Sequence, residues 1–186
     1  MLPVFIADWP LLLLPFHIAF LQLIIDPSCA LIFEAESAEA NVMKRPPRKP
    51  NARLFSMQTV GFAVMQGLSI LGVCLGVFLL ARSDHSTDAA RALMFATLVV
   101  AFIVIILVNR SWTRSVFAML RVPNPALLWV VLGACGFLAL VLLVPVVQKL
   151  FHFAPLHATD VLISLGAGVA CVLWFELVKL AKRRLA

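Results

Sequence analysis

Gln22, Leu23, Asp26 and Pro27 are the residues of this chain whose types and spacing could do chemistry, and that chemistry is the binding of a hard cation. All four lie in Leu11 to Phe33, a stretch that otherwise reads as a membrane span. An ionisable group at the centre of a spanning helix costs at least ~2.5 to 3.5 kcal/mol, so Asp26 is by default a functional residue. Pro27 has no N–H and its ring crowds the carbonyl four residues earlier, which deprives the Leu23 carbonyl of its helical partner and kinks the helix. In lipid such a carbonyl must be buried in protein or line a polar cavity. Gln22 and Asp26, four apart, share a helix face with it. A carboxylate, an amide oxygen and a freed carbonyl together make an oxygen ligand set, which is what hard cations take, with Asp26 as the charged metal ligand. The same residues also fit a kinked span whose Asp26 is protonated or hydrogen-bonded to a neighbouring helix. The residues alone leave both readings open.

Composition says what must carry these groups. Hydrophobic residues make up 63% of the chain and Tyr is absent, far above the apolar ~45 to 50% of soluble domains. The mean hydropathy is +1.05. The 186 residues are mostly consumed by spans of ~20 residues each, which leaves no room for a separate soluble catalytic domain. The expected fold class is therefore all-α, a polytopic membrane bundle forming a single transmembrane domain over residues 1–186.

Five apolar segments are expected to cross the bilayer, at about 11–33, 60–81, 89–108, 125–147 and 158–180. Residues 1–10 carry Pro3, Asp8 and Pro10 and read as an interfacial lead-in. The net charge of +6 has a topological explanation and needs no nucleic-acid partner. Twelve of the 15 basic residues fall in the loops 34–56 and 109–124 and in the tail, and three fall between the other spans. That bias makes those two loops and the C-terminus cytoplasmic and leaves the N-terminus outside. Prolines 46, 47 and 50 make the first of these loops extended. In the second, the run around Trp112 and Phe117 is expected to form a short interfacial helix. The first residues lack a basic signal-peptide region and a cleavage site, so the first span is expected to be retained, and an N-out start suggests that something precedes it.

The remaining polar and small residues read as structural. Cys29, Cys74, Cys135 and Cys171 lie in apolar runs without CxxC spacing and are expected to be small core residues. His17 is expected to make a helix-packing hydrogen bond rather than bind an ion, and Ser28 to satisfy a backbone group loosened by the kink. His85, His152 and His157 are expected to be solvated on outer loops, and Glu34, Glu36 and Glu39 to form a solvated face at the inner end of the first span. Glu176 should pair locally with Lys179 or Arg183 near the end of the last helix. Gly72 and Gly76, with Gly67 nearby, have a small-xxx-small spacing that would admit a neighbouring helix.

At LLPFHIAFLQLIIDP, followed by FEAESAEANVMKRPPRKPNARLFS, the chain resembles the C-terminal transmembrane domain of P-type cation-transporting ATPases, in the calcium-pump-like branch and with a bacterial-type variant of the motif. In that family the sixth membrane helix carries a polar residue four before an aspartate, then a kink, and runs into a loop ending in a basic-proline string. Gln22, Asp26, Pro27 and MKRPPR occupy those places. The stretch AARALMFATLVVAFIVIILVNRS is similar to the family's eighth helix. NPALLWVVLGACGFLALVLLVPVVQKLFHFAPLHATDVLISLGAGVACVLWFELVKLAKRR is similar to the ninth and tenth, so the resemblance covers essentially the whole chain.

The resemblance implies a five-helix portion of a larger pump, with Asp26, Gln22 and the Leu23 carbonyl as candidate cation ligands. It also implies a bacterial plasma membrane and a transported cation as cargo, with Ca2+ as a candidate. The remaining half of the ATPase, in cis or in trans, would be its partner. The motifs DKTGT and TGES are absent, so ATP and Mg2+ are implied only for that catalytic part, and no ATPase activity is expected from this chain alone. Calcium pumps have Thr and Gly around the aspartate where this chain has Ile25 and Pro27, and an acidic residue in the eighth helix where it has Phe102. With a single formal charge a divalent site would be under-neutralised, so the fourth and fifth helices of a full pump would have to contribute. Two other readings stay open: a non-catalytic membrane scaffold or regulatory subunit, and a non-functional truncated remnant.

Overall fold

Pro15 sets the first turn of the helix that carries Asp26, because its fixed φ suits the start of a helix and its missing N–H would have had no partner there. This helix, α1, spans Pro15–Glu34. In the computed structural model, residues 11–36, 57–110 and 122–185 are described, the side chains as far as 178. Residues 1–10, most of the loop 34–56 and the segment around Trp112 and Phe117 therefore lie outside the described residues, and so do the expectations for them.

Five more helices follow: α2 (Met57–Asp84), α3 (Thr87–Asn109), α4 (Pro125–Leu143), α5 (Pro145–Leu150) and α6 (Ala158–Leu185). Among the described residues there is no strand, and α1 to α4 with the Ala158–Val178 part of α6 are long and apolar enough to cross a membrane. The all-α, five-span expectation holds. The helix starts follow ordinary capping rules: Ser86 Oγ accepts from Ala89 N–H (3.3 Å) and Asn124 Oδ1 from Leu127 N–H (3.1 Å). Hydropathy extends the fourth span to Val147, but α4 stops at Leu143. Pro145 holds Val144 in an extended conformation and opens the short helix α5.

α3 is the axis of the bundle. Its small residues Ala89, Ala90, Ala92, Ala96 and Ala101 are buried, and α1, α2, α4 and α6 all pack on it. The tightest seam is with α6, where a Cβ on Gly168 would stand 2.8 Å from both the Thr97 carbonyl oxygen and Val100 Cβ. Ser164 and Thr97 both donate their hydroxyls to the Leu93 carbonyl (3.2 and 2.9 Å). Close backbone approach and hydroxyl bonds replace the hydrophobic effect between helices in lipid. The expectation for Gly67, Gly72 and Gly76 is corrected: nothing lies within 4 Å of a Cβ built on any of them, so the close approach belongs to Gly168. Of the cysteines, Cys74 and Cys171 are in the core and Cys29 is half-buried. Cys135 is exposed, because it sits on the outward face of α4, and so is not a core residue.

Two polar fastenings close the ends of the bundle. At one end the buried Arg91 donates to the Leu11 carbonyl (3.2 and 3.3 Å), the His152 carbonyl (3.3 Å) and Asp88 Oδ1 (2.7 Å). At the other, Arg110 donates to both carboxylate oxygens of Glu36 (2.7 and 3.2 Å). Glu36 is therefore not part of a solvated face. His85 also departs from expectation, with Nε2 lying 3.3 Å from Oδ2 of the nearly buried Asp160, since the tight α2–α3 connection turns it toward the start of α6.

Candidate functional site

The middle of α1 has two unlike faces. Leu21 is buried toward α3, with Ile24, Ile25 and Ser28 beside it, whereas Gln22, Leu23, Asp26 and Pro27 are exposed, Leu23 by 70%. Helical periodicity makes this division, since residues 22, 23, 26 and 27 fall on one side of a 3.6-residue turn. The helix continues through Pro27 from Pro15 to Glu34, so the proline removes a rung from the hydrogen-bond ladder without ending it. The Leu23 carbonyl has no N–H from residue 27 to accept.

On the exposed face Gln22 Nε2 donates to Asp26 Oδ2 at 2.8 Å. The two candidate ligands are thus brought into contact. The bond uses one lone pair of the carboxylate and both orients and stabilises it. Gln22 Oε1 and Asp26 Oδ1 keep their full acceptor capacity. Together with the Leu23 carbonyl this is a set of oxygens suited to a hard cation. Among the described residues no group of three or more His, Cys, Asp or Glu side chains gathers here or elsewhere. Asp26 therefore brings the formal charge to the Gln22–Leu23–Asp26 group, the next acidic residue of α1 being the exposed Glu34 two turns further on. The set is incomplete for a divalent ion.

Behind the site, on the α3 and α4 side, lies an apolar crevice of about 30 Å³. Its walls include Ile25, Phe102, Ile106 and Ala134, with Ser28 as the polar residue among them. Phe102, at the position that the family resemblance equates with an acidic residue, thus faces the opposite side of α1 from Asp26. The structure does not bring α3 to the carboxylate.

His17 behaves as a packing residue. It is fully buried, its Nδ1 accepts from Leu14 N–H (3.1 Å) and its Nε2 lies 2.8 Å from the Phe151 carbonyl. Acceptance at Nδ1 places the ring proton on Nε2, which donates to Phe151. The ring stacks on Phe153 with centroids 4.9 Å apart. Glu176 is buried on α6, while Lys179 and Arg183 have no described side chains. Two groups that hold α1 were not legible as such: Arg91, which counted only as one of the three basic residues between the other spans, and the trio Glu36, Arg110 and Asn124. Asn124 was open to detection, because Asn before Pro at a helix start is an N-cap signal.

Residues 10–181 match the family model described as the cation transporting ATPase, C-terminus. The chain is 29% identical to the calcium-transporting ATPase of Bacillus subtilis, over 84% of this chain and 18% of that protein. It is 30% identical to the calcium-transporting ATPase 1 of Schizosaccharomyces pombe, over 90% of this chain and 19% of the other. With the calcium-transporting ATPase type 2C member 2 of Rattus norvegicus it shares 26% identity, over 90% and 18%. The chain spans about a fifth of the length of these relatives.

Proposed function

The chain belongs to the cation-transporting ATPases as their C-terminal membrane domain, and on that premise we propose that it supplies part of the ion pathway of a calcium pump. The observation that carries this reading is the hydrogen-bonded Gln22–Asp26 pair on an exposed face in the middle of a spanning helix. Facing lipid, the carboxylate would cost at least ~2.5 kcal/mol. Facing other helices of a pump, it becomes one ligand of a shared site. Asp26 provides charge, Gln22 orients the carboxylate and adds its amide oxygen, and the Leu23 carbonyl freed by Pro27 adds a third oxygen. A Ca2+ ion takes 6 to 8 oxygens, so further carboxylates and carbonyls come from helices outside this chain, and ATP hydrolysis from soluble domains outside it.

The named calcium-transporting relatives support Ca2+ as the cargo, and the bacterial one among them favours a bacterial plasma membrane. The basic loops favour a cytoplasmic position for the Arg110 end of the bundle. A membrane-impermeant thiol reagent should then reach a cysteine introduced at the exposed Ser83 from outside intact cells. Labelling only after lysis would reverse the topology.

Asp26→Asn and Gln22→Ala, introduced into the chain within its native membranes, test the function. The expected result is loss of Ca2+-dependent activity with Asp26→Asn and a weakened Ca2+ dependence with Gln22→Ala. Activity and ion dependence untouched by both substitutions would leave the scaffold reading, which Phe102 favours because it puts a ring where the family has a charged ligand.

A further inference from the structure

α1 is fastened by polar bonds at both ends, and between them, among the described residues, it is held by apolar packing alone, through Phe20, Leu21 and Ile25. Toward its N-terminus, His17 donates to the Phe151 carbonyl and Arg91 holds the Leu11 carbonyl. At its C-terminus, Asn124 Nδ2 donates to the Ile32 carbonyl (3.2 Å) and to Glu36 Oε2 (3.1 Å), while Arg110 grips both oxygens of Glu36. Asn124 Oδ1 simultaneously caps α4 through Leu127 N–H. One amide side chain therefore ties the last turn of α1 to the first turn of α4. Between His17 and Ile32, among the described residues, the side-chain hydrogen bond formed is the internal one from Gln22 to Asp26.

Pro27 lies between the two fastenings, where the helix has lost a rung. The apolar crevice behind it reaches Ile25 and Ser28, so packing around the hinge is not closed. A helix tied at both ends, missing one rung between them and backed there by loose apolar packing takes its bend from the placement of its ends. The inner fastening is built to define such a placement. The Arg110 side chain is fully buried and that of Glu36 is 14% exposed, and a bidentate guanidinium–carboxylate pair fixes orientation as well as distance.

We infer that Glu36, Arg110 and Asn124 are positioning residues that set the bend of α1 at Pro27, and with it the direction in which Gln22 and Asp26 present their oxygens. The meaning of the bend for ion binding rests on the function proposed above. The bend itself does not.

The test uses the full chain in lipid nanodiscs, with Cys29, Cys74, Cys135 and Cys171 replaced by alanine. Nitroxide labels at Ile18 and Leu31, both exposed on α1, report the bend as their separation. Arg110→Lys keeps the charge but gives up the two-pronged grip, and the label separation should shift or split. Glu36→Leu combined with Arg110→Met removes both charges, so no buried ion is left alone and thermal stability should recover. The label separation should nevertheless stay displaced, because nothing then orients the end of α1. A double variant that regains both the stability and the original separation overturns the inference, since the trio would then act as packing alone. The separation is read without any ion, so failure of the calcium reading would show in the activity measurements and not here.

Discussion

Gly168 and Val100 meet so closely that a single added carbon would stand 2.8 Å from the valine Cβ and equally close to the Thr97 carbonyl oxygen. A backbone oxygen cannot swing aside as the tip of a flexible side chain can, so Gly168→Ala has to push α6 away from α3. Overpacking of this kind costs about 1–3 kcal/mol, and the displacement would also stretch the Ser164 bond to the Leu93 carbonyl. The thermal midpoint of the detergent-solubilised protein should fall. Gly72→Ala, made into open space, should leave it unchanged. Equal midpoints for the two variants would remove this seam as the tight point of the bundle.

His17→Phe is expected to destabilise the core. Phenylalanine keeps an aromatic ring among Phe16, Phe95, Phe151 and Phe153 but is the larger residue, so overpacking adds to the loss. It can neither accept from Leu14 N–H nor donate to the Phe151 carbonyl. Each buried backbone group left without a partner costs about 1–3 kcal/mol. Thermal unfolding followed by circular dichroism should register the loss, and an unchanged midpoint would mean that the two bonds contribute nothing.

Arg91→Met should loosen its own end of the bundle more than the loss of one surface charge would. Its Asp88 partner is about half exposed and water can take over that bond, so the salt bridge itself is worth little. The Leu11 and His152 carbonyls lose their donor, again at about 1–3 kcal/mol each where water cannot reach them. Hydrogen exchange at residues 151–157 and at the first turn of α1 is the appropriate measurement. Faster exchange there, with α2 unchanged, is the expected pattern, and uniform exchange across the chain would count against a local role.

The five helices were legible because a spanning segment must satisfy its own backbone in lipid, so an apolar run of ~20 residues carries its structure within itself. Asp26 was legible for a related reason: hydrocarbon makes any carboxylate conspicuous. Pairings across the chain were not legible. Glu36 read as one of three acidic residues in a loop, yet its partner Arg110 lies 74 positions away, and charge alone does not say which opposite charge the fold will deliver. The glycines show the same limit. Gly72 and Gly76 have the spacing that admits a helix, but spacing describes one helix only, and the approach happens where Thr97 and Val100 meet Gly168. For the candidate site, the Gln22–Asp26 contact follows from a four-residue separation on a helix. What completes it does not, because the surface that would cover it is not formed by the described residues.

Asp26→Leu should separate folding from function. In the isolated chain the carboxylate lies on an exposed face of a spanning helix, and exchanging Asp for Leu at a helix centre favours insertion by ~3 kcal/mol. A transport residue is kept in spite of such a cost, so its removal should raise membrane insertion of α1 while abolishing Ca2+-dependent activity. Insertion efficiency can be scored by the membrane-integrated fraction of glycosylation-tagged chains, and activity by ATP-dependent 45Ca2+ uptake into native membrane vesicles. Higher insertion with lost uptake is the expected pair of results. Lower insertion would show that Asp26 has a stabilising partner within this chain beyond Gln22. Retained uptake would take the carboxylate out of the ion path.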